Sequence, residues 1–144
     1  MSYLEALQET LAAEHAAVYV IGVLGAQTSQ NQSPGLYETL DESYAEHRAA
    51  RDRLVGLVIG AAGEPVVAET AYALPDDLSG SDVLERLALD VQRALATSYA
   101  ALTASSTGSD RRWPVARLQS TAVRELALGG AAQLFPGSDE YPDR

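Results

Sequence analysis

Glu14 and His47 are the residues of this sequence whose type and spacing invite chemistry. Glu14 interrupts the apolar series Leu4, Leu7, Leu11, Val18, Ile21 and Gly25, whose alternating steps of three and four trace one face of a helix. A carboxylate on such a face is costly unless it is paired, protonated or bound to a metal. His47 holds the matching place in Leu36, Leu40, Ser43, His47, Ala50, Leu54, Leu57 and Ala61, with Tyr44 and Arg51 on the edge of that face. An acid and an imidazole meeting between helices begin a carboxylate–histidine metal site. The plainer outcome is a buried acid satisfied by Tyr44 or Arg51 beside a hydrogen-bonded core histidine.

The elements that must position these groups are four helices. Helix 1 is expected from Tyr3 to Gln27, with Ser2 and Glu5 spaced as a capping box. The polar segment Thr28 to Gly35 reads as a turn. Helix 2 is expected from Leu36 to Ala62, stopped by Gly63. Residues Glu64 to Gly80, with Pro65 and Pro75, break the periodicity and form a connection that lies on the surface. Helix 3 is expected from Ser81 to Ala104 through Leu84, Leu87, Val91, Leu95, Ser98 and Leu102. Helix 4 is expected from about Arg111 to Leu134 through Val115, Leu118, Ala122, Leu126 and Gly129, with Pro114 in its first turn.

Short turns imply hairpins for helices 1–2 and 3–4. The connection between helices 2 and 3 reaches about 55 Å when extended, more than the roughly 40 Å of a 27-residue helix. It can run the length of the bundle and leave helices 2 and 3 parallel. Residues equidistant from a hairpin turn lie level, which sets Glu14 opposite His47 and Asp90 level with Glu125. Glu14, His47, Asp90 and Glu125 are therefore the candidate metal ligands of one polar layer, with Tyr44 beside them. Arg51 and Tyr19 are its candidate polar neighbours. His15 points about 100° away from Glu14 on the same helix and is expected at a helix edge.

Composition narrows the classes. The 144 residues suit one domain, read as a bundle over 1–136 and a flexible polar tail over 137–144. The formal charge is −10 and all ten positive charges are arginine, which opposes non-specific nucleic-acid binding and a polybasic membrane contact. The chain lacks cysteine, so disulfides, thiolate nucleophiles and iron–sulfur clusters are excluded. The N-terminus lacks a basic segment followed by an apolar stretch, and a cytoplasmic protein is the expectation.

Three stretches carry a family likeness: AEHAAVYVIGVLGA (Ala13 to Ala26), AEHRAARDRL (Ala45 to Leu54), and AAGEPV followed by AYALP (Ala71 to Pro75). With the LFPG of Leu134 to Gly137, they make the chain similar to an uncharacterised bacterial family of ferritin-like domains. The resemblance covers residues 4 to 136 and implies an all-α, ferritin-like antiparallel four-helix bundle with a long crossover between helices 2 and 3. It transfers no activity. Di-iron bundles of this architecture use one Glu from each of two helices and a Glu-x-x-His pair from each of the other two. Here Glu14 matches the first acid, the second helix reads Tyr44-x-x-His47, and helix 4 has no histidine.

A degraded di-metal site favours a non-enzymatic bundle that works by association or as a scaffold, as a homodimer and without a cofactor. The alternative is a ferritin-like oxidoreductase or metal-storage protein holding a single iron, manganese or zinc ion on the residual layer. A small-ligand carrier with Tyr19, Tyr44 and Glu14 around a pocket ranks third.

Overall fold

The structure, a computed structural model, describes residues 1–138. Four α-helices account for its regular structure: α1 (Tyr3–Gln27), α2 (Pro34–Gly60), α3 (Ser81–Ser105) and α4 (Arg112–Ala127). A single 3₁₀ turn, Gly108–Arg111, precedes α4, and there is no strand among the described residues. Among the described residues no helix is long and apolar enough to cross a membrane.

The helix ends follow local chemistry. The Ser2 hydroxyl accepts from the Glu5 amide at 3.2 Å while the Glu5 carboxylate accepts from the Ser2 amide at 2.7 Å, completing the capping box at the start of α1. Pro34 opens α2 two residues before the expected start, since its missing N–H costs nothing in a first turn. At the other end α2 stops at Gly60, and it is Ala62, not Gly63, that takes the left-handed φ of 59°. Gly63 serves close approach instead, for a Cβ there would stand 2.6 Å from Leu4 Cδ1.

Helix α4 is shorter than its apolar pattern suggests and ends at Ala127, not Leu134. Gly129 turns left-handed at φ 83°, and the Gly130 amide bonds back to the Glu125 carbonyl at 2.8 Å. The chain then turns onto α3, where Gly137 packs against the Ala96 carbonyl and the Ala100 methyl. Of the tail expected over 137–144, residues 139–144 lie outside those described.

Helix α1 packs on both α2 and α3, and α4 packs on α3. Contacts between α1 and α2 run in order: Glu14 bonds His47, Gly22 faces Tyr44 and Gly25 faces Leu40. The connection over 61–80 follows α1. Gln8 bonds Glu64 and Val66, His15 reaches the Val66 carbonyl at 3.1 Å, and Tyr19 stacks on Tyr72 with ring centroids 5.4 Å apart.

The core divides in two. One apolar cluster gathers Leu7, Leu11, Leu54, Val58, Leu95 and Leu102. The other gathers Ile21, Leu24, Leu36, Leu40, Leu84 and Leu128. Fully burying each such side chain contributes about 1.5–3 kcal/mol. Along α2 a polar layer, Ser43 and His47 joined by Glu14 of α1, separates the two clusters.

Candidate functional site

Helix periodicity places each member of this layer. On α2, Ser43 and His47 are one turn apart in the buried row Leu36, Leu40, Ser43, His47, Ala50, Leu54 and Val58. On α3 the buried row is Leu84, Ala88, Gln92, Leu95, Tyr99 and Leu102. On α4 it is Pro114, Thr121 and Glu125, with Arg117 and Leu118 half-buried between them.

Glu14 and His47 meet as the hairpin register requires, with His47 Nδ1 2.8 Å from Glu14 Oε2 and both side chains buried. The Tyr99 hydroxyl donates to the other carboxylate oxygen, Oε1. His47 Nε2 lies 2.9 Å from the Gln92 amide nitrogen, which also donates to the Ser43 hydroxyl at 3.2 Å. One proton arrangement satisfies all these contacts. Nδ1–H donates to Glu14, Nε2 accepts from Gln92, and the second Gln92 amide hydrogen goes to Ser43.

Two cationic side chains of α4 close the layer. Arg117 Nη2 lies 3.7 Å from Glu14 Oε1 and Nη1 lies 3.9 Å from Glu46 Oε2, while its guanidinium stands 5.5 Å from the Tyr99 ring centroid. Arg124 donates to Glu46 at 2.8 Å and to Glu42 at 3.2 Å. Burial alone would lower the pKa of Arg117, but Tyr99, Glu14 and Glu46 together carry it above its ordinary value. Burial lifts the Tyr99 phenol well above its ordinary value, and the Glu14 charge adds to that rise while Arg117 opposes it. Tyr99 is thus held as a hydrogen-bond donor to a carboxylate.

The other expected members lie elsewhere. Asp90 is exposed, because the buried row of α3 runs through Ala88 and Gln92, not Leu87 and Val91. Glu125 is buried but turns to Gln133, whose amide donates to its Oε2 at 2.8 Å. Arg51 is paired with its neighbour Asp52 at 2.7 Å and leaves Glu14 to Arg117. Tyr44 is half-buried against Gly22 with Arg48 over its ring, and Tyr19 lies at the surface against Tyr72. His15 is at the helix edge. Sequence reasoning placed none of Gln92, Tyr99 and Arg117 in this layer. The available signal was the spacing of Ala88, Gln92, Leu95 and Tyr99.

This donor set does not fit a di-metal centre. Both Glu14 oxygens and both His47 nitrogens are engaged by protein groups, and a guanidinium takes the place where a metal's positive charge would balance the acid. No group of three or more His, Asp or Glu side chains able to hold an ion forms among the described residues. As a general base the pair is poorly aimed, because His47 Nε2 meets Gln92, not an open cleft.

A family model described as Domain of unknown function (DUF4439) matches residues 6–140. Among solved structures, the chain is similar to a conserved hypothetical protein from Mycobacterium tuberculosis. The two are 26% identical over 87% of this chain and 86% of that one, with a TM-score of 0.78. No curated protein matches.

Proposed function

The chain belongs to the family described as Domain of unknown function (DUF4439), and on that premise we propose that it is a ferritin-like antiparallel bundle acting by association with a second copy and not by metal chemistry. The observation that carries this reading is the closure of the central layer. Glu14 is balanced by Arg117, and His47 is held between Glu14 and Gln92. The ordered contacts of α1 with α2, and a connection that follows α1 before α3 begins, support the antiparallel and ferritin-like parts of the proposal. Association draws support from α4. Val123 and Leu126, three residues apart on one face, are 66% and 50% exposed.

Two measurements test it. Light scattering is expected to give a dimer that Leu126→Glu converts to monomer; a monomeric parent at every concentration removes the association. Metal content after expression in medium supplemented with iron and manganese is expected to be negligible and the same for His47→Ala. Stoichiometric metal that His47→Ala releases would replace this reading with that of a single-ion oxidoreductase or storage protein.

A further inference from the structure

Apart from the central layer, α1 and α2 frame an open groove of about 710 Å³. That lies within the roughly 300–1,000 Å³ usual for small-molecule sites. Neither Glu14 nor His47 lines it, so its role is independent of how the central layer is read.

Small residues make the space. Gly22 and Gly25 present no side chain to α2, and a Cβ on Gly22 would stand 3.2 Å from the Tyr44 ring. The apolar surface comes from Val18, Ile21 and Leu40, and three tyrosines, Tyr19, Tyr37 and Tyr44, surround it. Tyr19 is braced from outside by Tyr72 of the connection.

Among the described residues, the one charged side chain that lines the groove is an acid. Asp41 lines it, and no lysine or arginine does. Neither the Asp41 carboxylate nor the hydroxyls of Tyr19, Tyr37 and Tyr44 have a hydrogen bond or ion pair among the described residues. One of the rings already attracts a cation, since the Arg48 guanidinium lies 5.6 Å from the Tyr44 centroid. Electron-rich aromatic faces beside a lone carboxylate form the environment that recognises alkylated ammonium groups. An anionic ligand would meet Asp41 unopposed, and a purely apolar one would leave that charge beside it.

We propose that this groove binds a small organic ammonium compound. Its apolar body lies on Val18, Ile21 and Leu40, and its cationic end sits by Asp41 among the tyrosines. The ligand class follows from charge complementarity and from the volume, which admits one ring or a short chain with a substituted nitrogen.

The test uses the full chain and three soluble probes of similar size: benzyltrimethylammonium, benzyl alcohol and phenylacetate. Amide shifts in a heteronuclear NMR titration should move at Gly22, Gly25 and Leu40 with the cation, and the cation should bind about tenfold more tightly than the other two. Asp41→Asn, a change at an exposed position, should weaken the cation about threefold and leave benzyl alcohol unchanged. Tyr37→Leu should weaken it by a similar factor. Equal affinity for all three probes, shifts scattered over the acidic surface, or cation binding indifferent to Asp41→Asn would overturn the proposal.

Discussion

The guanidinium of Arg117 on α4 lies 3.7 Å from the Glu14 carboxylate on α1. Glu14 is inaccessible to solvent, and the Arg117 side chain is 14% exposed. One charge deep in the bundle is therefore answered by a second that reaches in from the helix packed on α3. The same arginine lies over Tyr99, which donates to the same carboxylate oxygen. The other three helices thus all bring polar groups to Glu14: α3 and α4 to one oxygen, and α2, through His47, to the other.

That convergence makes Glu14 the most sensitive polar position of the core. Glu14→Ala leaves His47 and Tyr99 without their acceptor and Arg117 without its counter-charge, and should cost about 3–5 kcal/mol, the range for stranding one member of a buried ion pair. Glu14→Gln, which keeps the shape but not the charge, should cost less. Urea denaturation at neutral pH measures both. A loss below about 1 kcal/mol for Glu14→Ala would show that water, and not the protein, satisfies these groups.

Tyr99→Phe removes one hydroxyl from the same point and should cost about 1.5–3 kcal/mol, the usual worth of a hydrogen bond to a charged group. Its pH dependence is more telling. Burial, then the Glu14 charge, raise the folded-state pKa above 10.0, so the native state keeps a proton that the unfolded chain gives up. The stability Tyr99 supplies is complete below that value and falls as pH rises beyond it. The difference between parent and Tyr99→Phe should shrink from pH 9 to pH 11 in denaturation midpoints. A constant difference would mean that Tyr99 ionises normally in the folded protein.

Much of this arrangement is legible in the sequence, and the reason lies in periodicity. Glu14 and His47 sit in long apolar rows with one dominant reading, and hairpin arithmetic sets them level. Helices α3 and α4 are more ambiguous because they carry two apolar rows side by side. In α3, Leu87 and Val91 compete with Ala88 and Gln92 for the core face; the small and polar residues win, and Asp90 is carried to the surface. In α4, Leu126 is half exposed while its neighbour Glu125 is buried. Hydrophobicity alone points the wrong way there, since the partner that makes burial of Glu125 tolerable, Gln133, comes from a segment beyond the helix. Arg117 was hidden for a related reason. An arginine on a short amphipathic helix reads as surface unless its target is known.

Glu125 offers a titration of opposite use. Its pKa is raised by burial, with the Gln133 hydrogen bond and the Arg93 charge working against that rise. A raised carboxyl contributes stability that is complete below 4.5 and is lost as pH climbs through the folded-state value. Glu125→Gln cannot titrate, so it should lie within about 1 kcal/mol of the parent at pH 4 and gain on it as pH rises toward neutrality. Thermal unfolding across that range checks the sign. A variant that loses ground with rising pH would show that the Arg93 charge outweighs burial.

Gln133 reaches Glu125 only because the chain after α4 folds back on α3, and Gly137 is where that return is seated. Its φ is 83°, and its α-carbon lies so near the Ala96 carbonyl that a methyl group there would collide with it. Gly137→Ala combines about 1–2 kcal/mol for a left-handed alanine with a clash against backbone that cannot move aside. The cheapest response is release of residues 131–138, which removes the Gln133 hydrogen bond and opens Glu125 to water. Hydrogen exchange should then speed up in residues 130–138 while the amides of α1 and α2 keep their protection. With the segment released, the stabilising effect of Glu125→Gln at neutral pH should disappear in the double variant, because a solvated carboxylate no longer bears the cost of burial. Persistence of that effect beside Gly137→Ala would place the desolvation of Glu125 within α3 and α4 themselves.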